Sequence, residues 1–195
     1  MNIFVLSECP VESAEMMCDK HIPKMIVEAA QMLSTAHRMV DGSMEKRPSK
    51  SGKRMVNYYV HPNSNLESAL YKAVHHYHPC TVWTMESKAN YTWHYTHFLA
   101  LCSEFKHRFN KPHLTEEKLS EVLSVPPANI LDIERTPFAL AMAQFPACIV
   151  KDNPVQSYRN YYHTAKSFAK WEKSRPAPSW WEGYKGPEFF MEQAA

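Results

Sequence analysis

Glycine is scarce in this chain, 4 in 195 residues, and the shortage excludes several kinds of site. Walker-type phosphate loops, dinucleotide-binding turns and nucleophile elbows all need glycines at fixed spacing, and none of those patterns occurs. Phosphates would have to be held by side chains and helix N-termini. No apolar run approaches the length of a membrane span, and Met1 to Leu6 has no basic n-region and turns polar by Ser7. A strong charge of one sign is also missing. The formal net charge is +2, so an anion-binding surface must come from local clustering. The five cysteines, Cys9, Cys18, Cys80, Cys102 and Cys148, are odd in number and lack a paired framework. That suits a reducing compartment, so a cytoplasmic protein without membrane contact is expected. No cofactor signature is present, and none is expected.

Methionine (11) and histidine (11) are plentiful, and the methionines favour helices over hairpin-rich sheets. The expected fold is mainly α: one helical-bundle domain over 1–195, with a long basic loop at 41–64 and a candidate short N-terminal strand at Ile3–Leu6. Asp19 can cap a helix that tolerates Pro23 in its first turn and stops at Gly42. Its apolar face is Ile22, Ile26, Ala29, Leu33, Ala36 and Val40. His21, Lys24, Glu28, Gln31 and Thr35 form a polar stripe at spacings of three and four. Gly, Ser, Pro and the cations Lys46, Arg47, Lys50, Lys53 and Arg54 make 41–64 read as a solvated loop. A helix from Asn65, a long one over about 82–109 and another from Thr115 follow. Thr136–Val150 is apolar but broken by Pro137 and Pro146. Asn153 and Pro154 fit the cap and first position of a last long helix. On it Arg159, His163, Lys166, Lys170 and Lys173 would share a face.

The segment from Tyr158 to Lys185 interleaves rings with cations more densely than any other. Rings stack on bases and cations neutralise phosphates, so the mixture suits a nucleic acid or nucleotide. An ordinary amphipathic helix would show the same letters. Asp19, Lys20, His21, Lys24 and Glu28 are the densest titratable group, able to share protons and hold an anion. Cys18-x-x-His21 with His75-x-x-His78 could close a zinc site, but neither pair has the two-cysteine knuckle that makes such motifs specific. The histidines more simply donate hydrogen bonds, to buried partners or to a phosphate.

Several patches together resemble a family of small uncharacterised proteins common in tailed-phage genomes. They are Met1 to Leu6, Cys18-Asp19-Lys20-His21 with Lys24-Met25, His78-Pro79-Cys80 with Trp83, Asn90-Tyr91 with Trp93, Thr136-Pro137-Phe138-Ala139 with Ala141-Met142, and Tyr158-Arg159-Asn160-Tyr161-Tyr162 with Lys166 and Trp171. That resemblance implies a host-cytoplasmic location and no particular activity. Lys20-His21-Ile22-Pro23-Lys24 and Pro178-Ser179-Trp180-Trp181 with Tyr184-Lys185-Gly186 are similar to segments of the pyrimidine-dimer DNA glycosylases of the endonuclease V type. This second resemblance implies a small helical fold whose N-terminal amine is the nucleophile, beside a catalytic Glu. Here His21 stands where that Glu would be, so Asp19 or Glu28 would have to substitute.

The expected function is therefore a DNA- or nucleotide-directed enzyme, glycosylase- or lyase-like. The Met1 amine would attack C1′ of an extruded nucleotide, with Asp19 or Glu28 stabilising charge and His21 moving protons. Lys20, Lys24, His75, His78, Arg159 and Lys166 would hold phosphates, and Tyr162, Trp180 and Trp181 would stack. The alternatives are a non-catalytic nucleic-acid or nucleotide-binding protein, and a metal-dependent hydrolase at Cys18, His21, His75 and His78.

Overall fold

The computed structural model describes residues 1–192. Its elements run α1 (Pro10–Glu15), α2 (His21–Val40), β1 (Ser43–Pro48), β2 (Met55–Val60), α3 (Ser64–Ala69), α4 (Pro79–Glu86), α5 (Lys88–Phe109), α6 (Leu114–Leu119), α7 (Pro154–Ala165) and α8 (Phe189–Glu192), with a 3-10 turn at Pro146–Cys148. Helices dominate, but the fold is mixed α/β rather than a pure helical bundle. The expected basic loop is in fact a two-stranded antiparallel hairpin, with Ser43 opposite Val60 and Pro48 opposite Met55. β2, Met-Val-Asn-Tyr-Tyr-Val, has the β-branched and aromatic content of a strand, whereas β1 does not and hides the pairing.

The hairpin springs from the end of α2 because of Gly42. A Cβ there would stand 2.3 Å from the Arg38 carbonyl oxygen and 2.7 Å from that of Val60, so no larger residue fits. Arg38, 1% exposed, then locks its base. Its guanidinium donates to the carbonyls of Tyr59, Glu67, Leu70 and Tyr71 and pairs with the Glu67 carboxylate.

α2 is the axis of the molecule, packing on α5 and α4. Ile22, Ile26, Ala29, Leu33 and Ala36 are buried as their spacing requires, with Met25, Ala30 and Met32 beside them. The expected helix over about 82–109 is two helices. Ser87 is extended (φ −149, ψ 155), and its hydroxyl caps α5 by accepting from the Asn90 N–H at 3.0 Å.

Ile3–Leu6 is buried but is not a strand: it has no strand partner among the described residues. Side chains satisfy its backbone instead: Leu6 N–H donates to Ser13 Oγ at 3.0 Å, and Arg159 donates to the Leu6 carbonyl. α7 stops at Ala165 rather than continuing through Lys173, so the expected cationic face of a long last helix does not exist. Residues 166–188 return instead as irregular chain across α1 and α7. Trp171 Nε1 donates to the Met16 carbonyl and Lys185 N–H to that of His163. No helix among the described residues is long and apolar enough to cross a membrane.

Candidate active site

The early and late helices meet around the N-terminal segment. Phe4 lies between them, stacked on His21 of α2 at 4.5 Å between ring centroids and on Tyr161 of α7 at 6.0 Å. Its φ is +55, a left-handed conformation that a bulky residue rarely adopts. His21 is buried, with Nδ1 2.5 Å from the Tyr162 hydroxyl. Burial, then the nearby Lys166, Lys24 and Lys20, push its imidazole down to about 3. It is neutral near pH 7 and walled in by rings, so it shapes the floor of the site rather than carrying protons through it.

Above that floor stands Glu28, its side chain 14% exposed. One oxygen lies 3.7 Å from the Met1 amine and accepts from the Asn2 N–H at 3.1 Å. The other lies 3.4 Å from Lys24 Nζ. The stripe seen in the sequence is therefore no solvent face: it runs under the N-terminus, and only Lys24 is well exposed. Lys166, at the end of α7, reaches in from the other side with Nζ 4.2 Å from the Tyr161 ring centroid and 5.1 Å from that of Phe4. Burial, reinforced by Lys24, pushes its amine down to about 8, with Cys18 and Glu28 working the other way. Such an amine is partly neutral near neutral pH.

Met1 also borders a cavity of about 470 Å³, walled by His78, Leu140, Met142, Gln144, Phe145 and Tyr161 among others. That volume suits a nucleotide-sized ligand. His78 is half-buried, and its Nδ1 accepts from the Cys80 N–H at 3.3 Å, capping α4. Its imidazole is lowered by burial, then by the Met1 amine and His75.

The other expected site residues lie elsewhere or are committed. Asp19 accepts from Arg108 at 2.9 Å and from the Glu172 N–H at 2.6 Å, inside an ion-pair knot with Glu104, Arg175 and Glu15. Arg159 turns inward to the Leu6 carbonyl, with the Trp180 ring against its guanidinium. Tyr162 is fully buried. Trp180 and Trp181 are half-buried braces against Tyr162 and His163 rather than open stacking faces. Lys20 is exposed at a separate groove, 4.5 Å over Phe168, and His75 is exposed. The cavity residues that the sequence did not name as site candidates include Tyr161 and 140–145, with Phe4 packed behind Tyr161. Only their meeting in space marks them.

The proposed zinc quartet is not brought together. Cys18 and His21 both face Tyr162, while His75 is solvent-facing and His78 caps α4. Among the described residues one group has metal-ligand geometry: His37, Asp41 and His61, with ligand atoms within 4.8 Å of one another. The i,i+4 spacing of His37 and Asp41 on α2 was the only trace of it in the sequence. Comparison with family models, curated proteins and solved structures finds no match for the chain.

Proposed function

We propose that the protein is a DNA- or nucleotide-directed enzyme of glycosylase or lyase type, using an amine of the Glu28 cleft as nucleophile. The observation that carries the reading is the Met1 amine 3.7 Å from the Glu28 carboxylate, at the edge of a nucleotide-sized cavity. Glu28 accepts a proton from the amine. The freed amine attacks C1′ of an extruded nucleotide, the base leaves with the proton that Glu28 took, and the C1′–O4′ bond opens to a Schiff base as an amine proton passes to O4′. Glu28, again ionised, stabilises the positive charge that develops on the sugar and the iminium. Lys24 and Lys166 hold the flanking phosphates, and Lys166 is the second amine able to form the adduct. Tyr161 and Phe145 form the wall against which the sugar and base would lie, with Phe4 and His21 stacked behind Tyr161. The reading requires Met1 to carry a free α-amine, which intact-mass measurement of the isolated protein reads directly.

The hairpin supports a DNA partner. β1 is exposed throughout, and Lys46, Lys50, Lys53 and Arg54 make no ion pair among the described residues. A two-stranded ribbon fits a DNA groove, and each cation laid on a phosphate steepens the salt dependence of binding. The ribbon alone would equally serve a protein that binds nucleic acid without chemistry. Duplex oligonucleotides carrying an abasic site or a pyrimidine dimer separate the two readings. Strand nicking that Glu28→Gln abolishes, with DNA affinity retained, supports the enzyme; salt-sensitive binding without nicking by the wild type supports the binder.

A further inference from the structure

The C-terminal end of α2 carries a second cluster, nine residues and about 13 Å along the helix from Glu28. We propose that His37, Asp41 and His61 form a binding site for a divalent transition metal of the Zn²⁺ class, opening onto a separate cavity. His37 and His61 are 2% and 5% exposed, and the Asp41 side chain 8%. Buried polar atoms are almost always hydrogen-bonded, yet His37 Nδ1 and His61 Nε2 have no hydrogen-bond partner. Two orphaned imidazole nitrogens and a carboxylate within 4.8 Å of one another need an account, and a shared cation supplies one.

The surroundings of His37 match a ligand's. Its Nε2 lies 2.9 Å from the Tyr91 hydroxyl, and that hydroxyl donates to the Leu123 carbonyl at 3.0 Å. The single phenolic proton is thus committed, so Nε2 carries the imidazole proton and donates to Tyr91. Nδ1 is left with a lone pair toward the cluster, the tautomer and outer partner that hold a metal-bound histidine. Asp41 is equally prepared. Oδ1 accepts from the N–H and Nδ2 of Asn129 at 2.9 and 3.0 Å, and Oδ2 accepts from the Ala128 N–H at 2.7 Å. A carboxylate offers about four acceptor positions, so one remains, and Oδ2 lies 3.8 Å from His61 Nε2.

His61 sets the cost. Its Nδ1 accepts from the Asn63 N–H at 3.1 Å, so with no ion bound the ring proton rests on Nε2. Metal binding moves that proton to Nδ1 and gives up the Asn63 contact. The Asn63 side chain, which caps α3, keeps its own bonds to the N–H groups of Asn65 and Leu66. Tetrahedral bonds of about 2.0–2.2 Å also require the three ligands to draw together. Both terms make the site weaker than a four-ligand structural zinc centre.

Two imidazoles and one carboxylate suit Zn²⁺, Co²⁺ or Fe²⁺ rather than Mg²⁺ or Ca²⁺. Three protein ligands leave a position for water or a ligand oxygen. The cavity beyond holds about 600 Å³, with Pro62, Leu66, Val122, Val125 and Pro126 on its wall. It fits a small, largely apolar molecule bearing one oxygen donor.

The test is titration of chelator-treated full-length protein with Zn²⁺ by calorimetry and with Co²⁺ by absorption. One equivalent should bind, raise the Tm and give the visible bands of low-coordinate Co²⁺. Tyr91→Phe should weaken binding about 10–100-fold, and Asp41→Asn or His61→Ala by more. A Cys9→Ser, His75→Ala, His76→Ala triple variant should bind as the wild type does. Zn²⁺ that neither binds stoichiometrically nor raises the wild-type Tm overturns the proposal even if a variant fails to fold. So does tight binding that survives Asp41→Asn and is lost in the triple variant.

Discussion

Asp19 and Glu28 sit nine positions apart in one charged stretch, yet the structure gives them opposite surroundings. Asp19 belongs to a closed knot. Arg108, 5% exposed, bonds to Asp19, Glu104 and the carbonyls of Glu15 and Met17, while Arg175 ties Glu104 to Glu15. Burial works against the Glu104 carboxylate, but its bonds to Arg175 and Arg108 hold it below the usual carboxylate range. Glu28 lies beneath the N-terminus, behind the cavity that Met1 borders, and is shared by amines at 3.4 and 3.7 Å, longer than a good charge-assisted hydrogen bond. Where every donor and acceptor is matched, charge serves the fold. Where cations crowd one carboxylate beside a cavity, charge is free for a ligand.

That contrast is open to test. Glu28→Gln should lower turnover on abasic DNA by about 10²–10⁴-fold, the range of a lost acid–base group, with little change in thermal midpoint. Loss of fold in that variant would instead place Glu28 with the structural carboxylates. Arg108→Ala should cost about 3–5 kcal/mol in urea denaturation, because it strands buried carboxylates.

Lys166→Met probes the cleft through pH. The folded-state amine titrates at about 8, below its usual 10.5, so the fold opposes protonation below about 8 and is relieved as pH rises toward 10.5. Wild-type stability should therefore gain a rising contribution across that window. The Met variant should lack it and be the more stable at neutral pH, as matched thermal melts would show. The smallest effect belongs to Lys24→Ala. Its exposed i,i+4 pair is worth only a few tenths of a kcal/mol, so stability should barely move while the salt dependence of DNA binding becomes shallower.

Much of the helical frame was legible. The buried spacing of α2, the Asn153 cap with Pro154, and Gly42 as a stop all follow from local rules. The hairpin was not, because Ser43–Pro48 has no strand composition and is held by pairing to β2 and by Arg38 beneath. The Ser87 break was readable as a cap but was masked because core candidates such as Trp83, Ala89 and Trp93 recur on both sides of it. For the site, the stripe on α2 showed which residues share one face. It could not separate Asp19 from Glu28, since Arg108 arrives from α5, 89 positions away. Arg159 misled for the same reason: the Leu6 carbonyl that claims its guanidinium is 153 positions distant.

Borohydride trapping on abasic duplex DNA, with tandem mass mapping of the adduct, asks directly whether a cleft amine is the nucleophile. The account predicts a covalent product on the Met1 peptide, lost when the α-amine is acetylated, with Lys166 as the only secondary position. An absence of any adduct, or one that forms undiminished on surface lysines outside the cleft, would contradict it.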